Sequence, residues 1–193
     1  MYLENNKAIY IATQRVASTS IQQSLLEYID EDKIEHQELV NYEQAEAKYG
    51  RPALNKNFVF SFVRNPWDRM VSIFFSQVET DPQLLYSSGA RTFEDFVKEA
   101  TQNRLGRLHD LCHSQISMIK NKFSEVRIEY TGRFEELHRD YKTVCDSIGI
   151  DCKKLRRLKA SNHFNYKHYY NDELKRNVAK FFEEDIDTFK YVF

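Results

Sequence analysis

The sequence predicts an α/β fold: one domain over residues 1–193, with a central parallel sheet flanked by helices. Three observations carry this. Short apolar runs of strand length alternate with longer segments whose apolar residues recur at helical spacing. The alternation continues along the chain with no linker-like shift in composition and no internal repeat. Hydrophobic residues make up 41% and aromatic residues 14% of the 193, enough apolar surface for one substantial core.

The first strand is "KAIYIAT", residues 7–13. A run of small and hydroxylated residues follows, and then Ile21, Leu25 and Ile29 at helical spacing. The same grammar returns in "NFVFSFVRNPWDRMVSIFFSQV". Here Phe58–Val63 is apolar and β-prone, Asn65 is a helix cap, and Pro66 takes the first helical position. Trp67, Met70, Val71, Phe74 and Val78 then form a core stripe, with Asn65, Arg69, Ser72 and Ser76 on another face. Helices are predicted over 92–101 and 105–120, and a strand over 125–130, "EVRIEY". Phe134, Leu137, Tyr141, Val144, Cys145 and Ile148 make a further helical stripe that Gly149 ends in a left-handed cap. A last helix carries Leu174, Val178, Phe181 and Phe182. Parallel sheets bind ligands at the carboxyl ends of their strands, so both strand-to-helix turns are expected at one binding edge.

A formal net charge of -1 gives no overall basic field, which argues against nucleic acid as a partner and makes any basic site local. Cys112, Cys145 and Cys152 show no CxxC spacing, and an odd count closes no disulfide framework, as expected in a reducing compartment. "MYLENNKAIY" lacks an apolar signal core, and no stretch reaches the roughly 18 apolar residues of a membrane span. The expectation is a cytoplasmic chain.

The stretch "YIATQRVASTSIQQSL", residues 10–25, is a natural anion cradle, because a helix start presents unpaired N–H groups and a partial positive charge. Arg15 adds a full charge, and Ser18, Thr19 and Ser20 add hydroxyls. Against the triphosphate loop GxxxxGK[ST], both glycines are alanine (Ala12 and Ala17) and the lysine is Ser18, which argues against ATP or GTP with magnesium. Taken alone, the turn also reads as an ordinary capped helix. At the second turn, Arg64 leaves its strand where Pro66 starts a helix, and Ser72 lies eight residues on. An arginine fork, a hydroxyl and a helix start suit a second phosphate. Two cradles at one edge imply a ligand that is anionic at both ends.

"QRVASTS", "FVRNPWDRMVSIF" and "YTGRFEEL" together resemble the sulfotransferases that use 3′-phosphoadenosine 5′-phosphosulfate (PAPS), especially the carbohydrate-type, family 2-like branch. The second stretch meets the pattern R-[DN]-P-x-x-R-x-x-S in full through Arg64, Asn65, Pro66, Arg69 and Ser72. The tail "YKHYYNDELKRNVAKFFEEDIDTFKYVF" resembles the family's closing pattern, a Tyr-Tyr pair, a helix and Asp-x-x-x-Phe-x-Tyr-x-Phe. The resemblance implies a P-loop-like sulfotransferase fold, PAPS as donor, adenosine 3′,5′-bisphosphate as product, and no metal. It also implies a hydroxyl-bearing acceptor, a carbohydrate or small molecule. Arg15, Val16, Ala17, Ser18, Thr19 and Ser20 would grip the 5′ end, Arg64 and Ser72 the 3′-phosphate, and Gly132, Arg133 and Phe134 would lie near the nucleotide. Lysine is usual where this chain has Arg15, and a guanidinium binds as a planar fork without giving up its proton, which places turnover in question more than binding.

In-line sulfuryl transfer to an alcohol needs a base, and histidine suits the task. The resemblance places that base at His36 in "KIEHQELVNYEQA", with Glu38 as a nearby substitute. His113 and Gln115 would line the acceptor cleft. His109 and His113 stand at i, i+4, but no third metal ligand is evident. "KKLRRLK", residues 153–159, reads as a solvated face or as cover for the 3′-phosphate, with Lys159 and Ser161 as candidates. Trp67 and the Tyr169/Tyr170 pair read as packing. Two alternatives stay open: a module that binds adenosine 3′,5′-bisphosphate without turnover, and a small nucleotide kinase.

Overall fold

The computed structural model describes residues 1–29, 38–120, 127–158 and 161–193. His36, Lys159 and residues 125 and 126 of the expected third strand lie outside the described residues. The chain gathers into two compact units, one of Met1–Val63 with Ser117–Lys159 and one of Arg64–Ile116 with Ala160–Phe193.

The first unit is built on a four-stranded sheet, β1 (Tyr2–Leu3), β2 (Ala8–Ile11), β3 (Phe58–Val63) and β4 (Tyr130–Arg133), in that spatial order. β2, β3 and β4 run parallel as expected, while β1 adds an antiparallel edge. That edge strand is two residues long, too short to show periodicity in sequence. Parallel strands need crossovers, and β2 reaches β3 through α1 (Ser18–Leu26), α2 (Tyr42–Tyr49) and α3 (Arg51–Lys56). Ala8 and Tyr10 of β2 and Phe60 and Phe62 of β3 share one sheet face, where they form a core with Ile21 and Leu25 of α1. Tyr141, Val144, Cys145 and Ile148 of α8 (Leu137–Ile148) complete it, each large apolar side chain contributing roughly 1.5–3 kcal/mol by leaving water. The Tyr141 hydroxyl donates to Ser24 Oγ at 2.8 Å and so ties α8 to α1. Burial pushes both the Cys145 and the Cys112 thiols up to about 12, which keeps them protonated.

Of the expected third strand, the described residues 127–129 are not strand, and β4 is Tyr130–Arg133. Gly132 pairs with Phe62, and a Cβ at residue 132 would stand 2.4 Å from the Phe62 ring, so the glycine sits where that ring needs room. Gly149 ends α8 at φ 70°, the left-handed cap expected of it.

The second unit contains α4 (Pro66–Thr80), α5 (Pro82–Ser87), α6 (Phe93–Thr101), α9 (Asp172–Phe181) and α10 (Glu183–Phe189). Thr92 and Asp95 form a reciprocal cap that starts α6, and Phe93, Phe96, Val97 and Ala100 face inward. Phe74 of α4 packs against Phe93 and Phe96, both at 5.7 Å between ring centres. Trp67 is packing, as expected: it is buried, and its indole N–H donates to Lys175 O at 3.0 Å. The Tyr170 hydroxyl in turn donates to Trp67 O at 2.8 Å.

One expectation fails here. The single helix over 105–120 is a 3-10 helix, Gly106–Cys112, followed by extended backbone at His113 and then α7 (Gln115–Ile119). Gly106 at φ 55° permits the tight start, and a distant carboxylate, Asp185, caps the second piece. Arg69 and Ser72, placed on a different face of α4 from its apolar stripe, are buried as well.

Candidate active site

Paired registry of β2 with β3 and of β3 with β4 sets the carboxyl ends of three parallel strands at one edge of the first unit. The turn after β2 leaves from this edge. Thr13, 2% exposed, donates its hydroxyl to Phe62 O at 2.5 Å, and Ser18 Oγ donates back to Thr13 O at 2.6 Å, so the loop is stitched to β3 and to itself. Val16 is fully buried and anchors the middle of the turn in the core. Arg15 (φ 62°) and Ala17 (φ 63°) both adopt left-handed backbone, which costs a residue bearing a Cβ roughly 1–2 kcal/mol. Ala17 stands at the second glycine of the triphosphate-loop frame, so the chain keeps the bend without the residue that makes it easy. α1 follows Ala17 as its N-cap residue, with no side-chain cap on the first-turn N–H groups. Arg15, Ala17, Ser18 and Thr19 are half-buried.

In the second unit, Asn65 Oδ1 accepts from the N–H groups of Trp67 at 3.0 Å and Asp68 at 3.4 Å, the cap that the Asn-Pro pair predicts. Arg64 is 6% exposed. Its Nε donates to Asp68 Oδ2 at 2.8 Å, one helical turn on. Its main chain is bracketed by Gln115, whose Oε1 accepts from Arg64 N and whose Nε2 donates to Arg64 O, both at 2.8 Å. The hydroxyls of Ser72 and Ser161 lie 3.1 Å apart and share a hydrogen bond. Arg69 is fully buried: Nη2 donates to Leu111 O at 3.1 Å and His113 O at 2.6 Å, Nη1 lies 4.0 Å from Asp185, and the guanidinium carbon stands 5.3 Å from the centre of the Phe182 ring. Burial pulls the Arg69 guanidinium below its ordinary value, and Asp185 offsets part of that.

The sulfotransferase family matches residues 1–192. The chain belongs to that family. The crystal structure of a sulfotransferase from Alicyclobacillus acidocaldarius is similar in fold, with a TM-score of 0.50 and 12% identity over 92% of each chain. No curated protein matches the chain.

For a sulfotransferase, several sequence expectations acquire particular positions. Val16 can serve a ligand only through its main chain, because its side chain is in the core. Ser20 is buried, and its Oγ accepts from Leu158 N at 3.2 Å, so that hydroxyl secures the segment after α8. Arg133 ends β4 with its N–H donating to Asp140 Oδ2 at 2.7 Å. Gln115, expected at an acceptor cleft, is wholly buried and engaged with Arg64. The His113 side chain is half-exposed, 3.6 Å from Asp110, and Glu38 is exposed and paired with Lys48 at 3.5 Å. Among the described residues no group of three His, Cys, Asp or Glu side chains could hold a metal, and no helix is long and apolar enough to cross a membrane. Of the basic run, Leu155 anchors in the core while its described neighbours are exposed or partly so, and Lys153 pairs with Glu27. Asp68, Gln115 as a bracket and Asp185 were missed as parts of the Arg64 environment. Asp68 was legible in principle, standing i, i+4 from Arg64, whereas Asp185 was visible only as a letter of the tail pattern.

Proposed function

We propose that the protein transfers a sulfuryl group from PAPS to a hydroxyl of a carbohydrate or related small acceptor. The turn after β2 carries this reading: an uncapped helix start, two left-handed residues and an arginine, in a chain of the sulfotransferase family. The donor set suits a doubly anionic nucleotide. Residues 15–20 hold the 5′-phosphosulfate, Val16 and Ser20 by main chain alone, and Arg64 with Ser72 and Ser161 holds the 3′-phosphate. Arg133 and Lys159 are assigned to the nucleotide by the resemblance.

PAPS supplies the activated sulfuryl group, and charge collects on the leaving oxygen as that bond breaks. Preset N–H groups and the Arg15 guanidinium stabilise such charge without reorganising, on the order of 3 kcal/mol for one good donor. His36 takes the acceptor proton, with Glu38 or His113 as substitutes. Arginine in place of the usual lysine at residue 15 favours the second reading, a module that binds adenosine 3′,5′-bisphosphate without turnover.

Labelled sulfate transfer from PAPS to a panel of hydroxyl acceptors separates the two. Transfer that falls in His36→Ala while affinity for adenosine 3′,5′-bisphosphate holds is the expected result. Tight binding of that nucleotide with no transfer to any acceptor would leave the binding module, and stabilisation by ATP instead would point to a kinase. Arg64→Ala is expected to weaken adenosine 3′,5′-bisphosphate binding by about 2 kcal/mol or more, because a phosphate loses its charged partner. Unchanged affinity in a titration would refute the assignment of Arg64.

A further inference from the structure

The Gln115 carboxamide treats Arg64 as a neighbouring strand would. It accepts from the Arg64 N–H and donates to the Arg64 carbonyl, both at 2.8 Å, with no exposure to water. An extended residue at a strand end otherwise carries an N–H and a C=O beyond the reach of the ladder, and here a side chain pairs both. Fixing both ends of one residue fixes its Cα–Cβ direction, and Asp68 then clips the side chain at Nε.

Asp185 fixes the bracket. One of its oxygens accepts from Ser114 Oγ at 2.9 Å and Ile116 N at 2.8 Å; the other accepts from Gln115 N at 2.8 Å and lies 3.5 Å from Gln115 Nε2. The orientation of the amide follows from this surrounding. A flipped Gln115 would set its oxygen against both the Arg64 carbonyl and the Asp185 carboxylate, and its NH2 against the Arg64 N–H. The closing pattern of the chain, in which Asp185 is the first residue, thereby acquires a task at the other end of the second unit's sequence.

We infer that Gln115 is a positioning residue for Arg64, that Asp185 orients Gln115, and that together they set the preference for nucleotides carrying a 3′-phosphate. The inference rests on the assignment of Arg64 to that phosphate. A preset cation binds without first losing freedom, so a loosened Arg64 keeps its charge and loses selectivity.

The test is the ratio of affinities for adenosine 3′,5′-bisphosphate and adenosine 5′-monophosphate, measured by titration calorimetry on the full chain. Gln115→Met, which keeps the volume and removes the bracket, is expected to lower the ratio at least tenfold with affinity for the monophosphate within about twofold. Gln115→Asn keeps the carboxamide but is one methylene too short to reach both the Arg64 N–H and the Arg64 carbonyl. It is expected to lower the ratio likewise and is read in place of Gln115→Met should that variant not fold. In an Arg64→Ala background neither substitution should lower the ratio further, an outcome that a merely structural role would not produce. An unchanged ratio in a folded Gln115 variant, or equal loss for both nucleotides, overturns the inference while the Arg64 assignment stands. A ratio unaffected by Arg64→Ala itself overturns the assignment and the inference with it.

Discussion

Asp185→Ala is expected to destabilise the protein by about 3–5 kcal/mol, the range for removing one partner of a buried charged pair. Asp185 and Arg69 are both without exposure, and their nearest charged atoms lie 4.0 Å apart. At that separation the pair is not a tight hydrogen-bonded bridge. The larger cost lies in what remains: a buried guanidinium held by two carbonyls and an aromatic face, and the N–H groups of Gln115 and Ile116 with no acceptor at the start of α7. Denaturant unfolding measures the loss. Asp185→Asn, which keeps an oxygen for part of that set, should lose less. A combined Arg69→Met and Asp185→Leu variant should lose less than the sum of its parts, because burying neither charge avoids both desolvation costs. A loss below about 1 kcal/mol in Asp185→Ala would show that the carboxylate does not balance Arg69.

Arg15→Ala is expected to lower turnover by roughly a hundred- to a thousandfold, the usual effect of removing one preset donor from developing charge. Backbone and side-chain effects must be separated, because Arg15 holds φ at 62°. Arg15→Gly relaxes that backbone and removes the guanidinium, so a loss shared by the glycine and alanine variants belongs to the charge. Arg15→Lys keeps a cation of compact, proton-donating form and is expected to retain or raise turnover. Steady-state transfer of labelled sulfate gives all three rates. An Arg15→Ala variant with normal turnover would remove the guanidinium from the leaving oxygen.

The local signals in the chain translated directly into structure. The Asn-Pro pair after β3 caps α4 as written, because a cap is a contact between residues two and three apart. Phe58–Val63 is a strand with no change of boundary, and Gly149 ends α8, since run length and a left-handed glycine are properties of short segments. That residues 12–20 turn between a strand and a helix was legible from the apolar run before them and the helical spacing after. The conformation of that turn was not, since nothing in "QRVAS" announces two left-handed residues where no glycine stands.

By itself, then, the sequence determined the alternation of strands and helices, the caps, and the pair of motifs that mark a sulfotransferase. Each of these depends on residues a few positions apart. Only the tertiary structure decided that the stretch 105–120 breaks before α7, that Ser20 serves Leu158, and that Gln115 and Asp185 stand behind Arg64. These outcomes turn on partners from about 50 to nearly 140 residues away, the amide opposite Arg64 and the carboxylate opposite Ile116 among them, and a buried polar group takes its partner from whatever the fold brings within 3 Å.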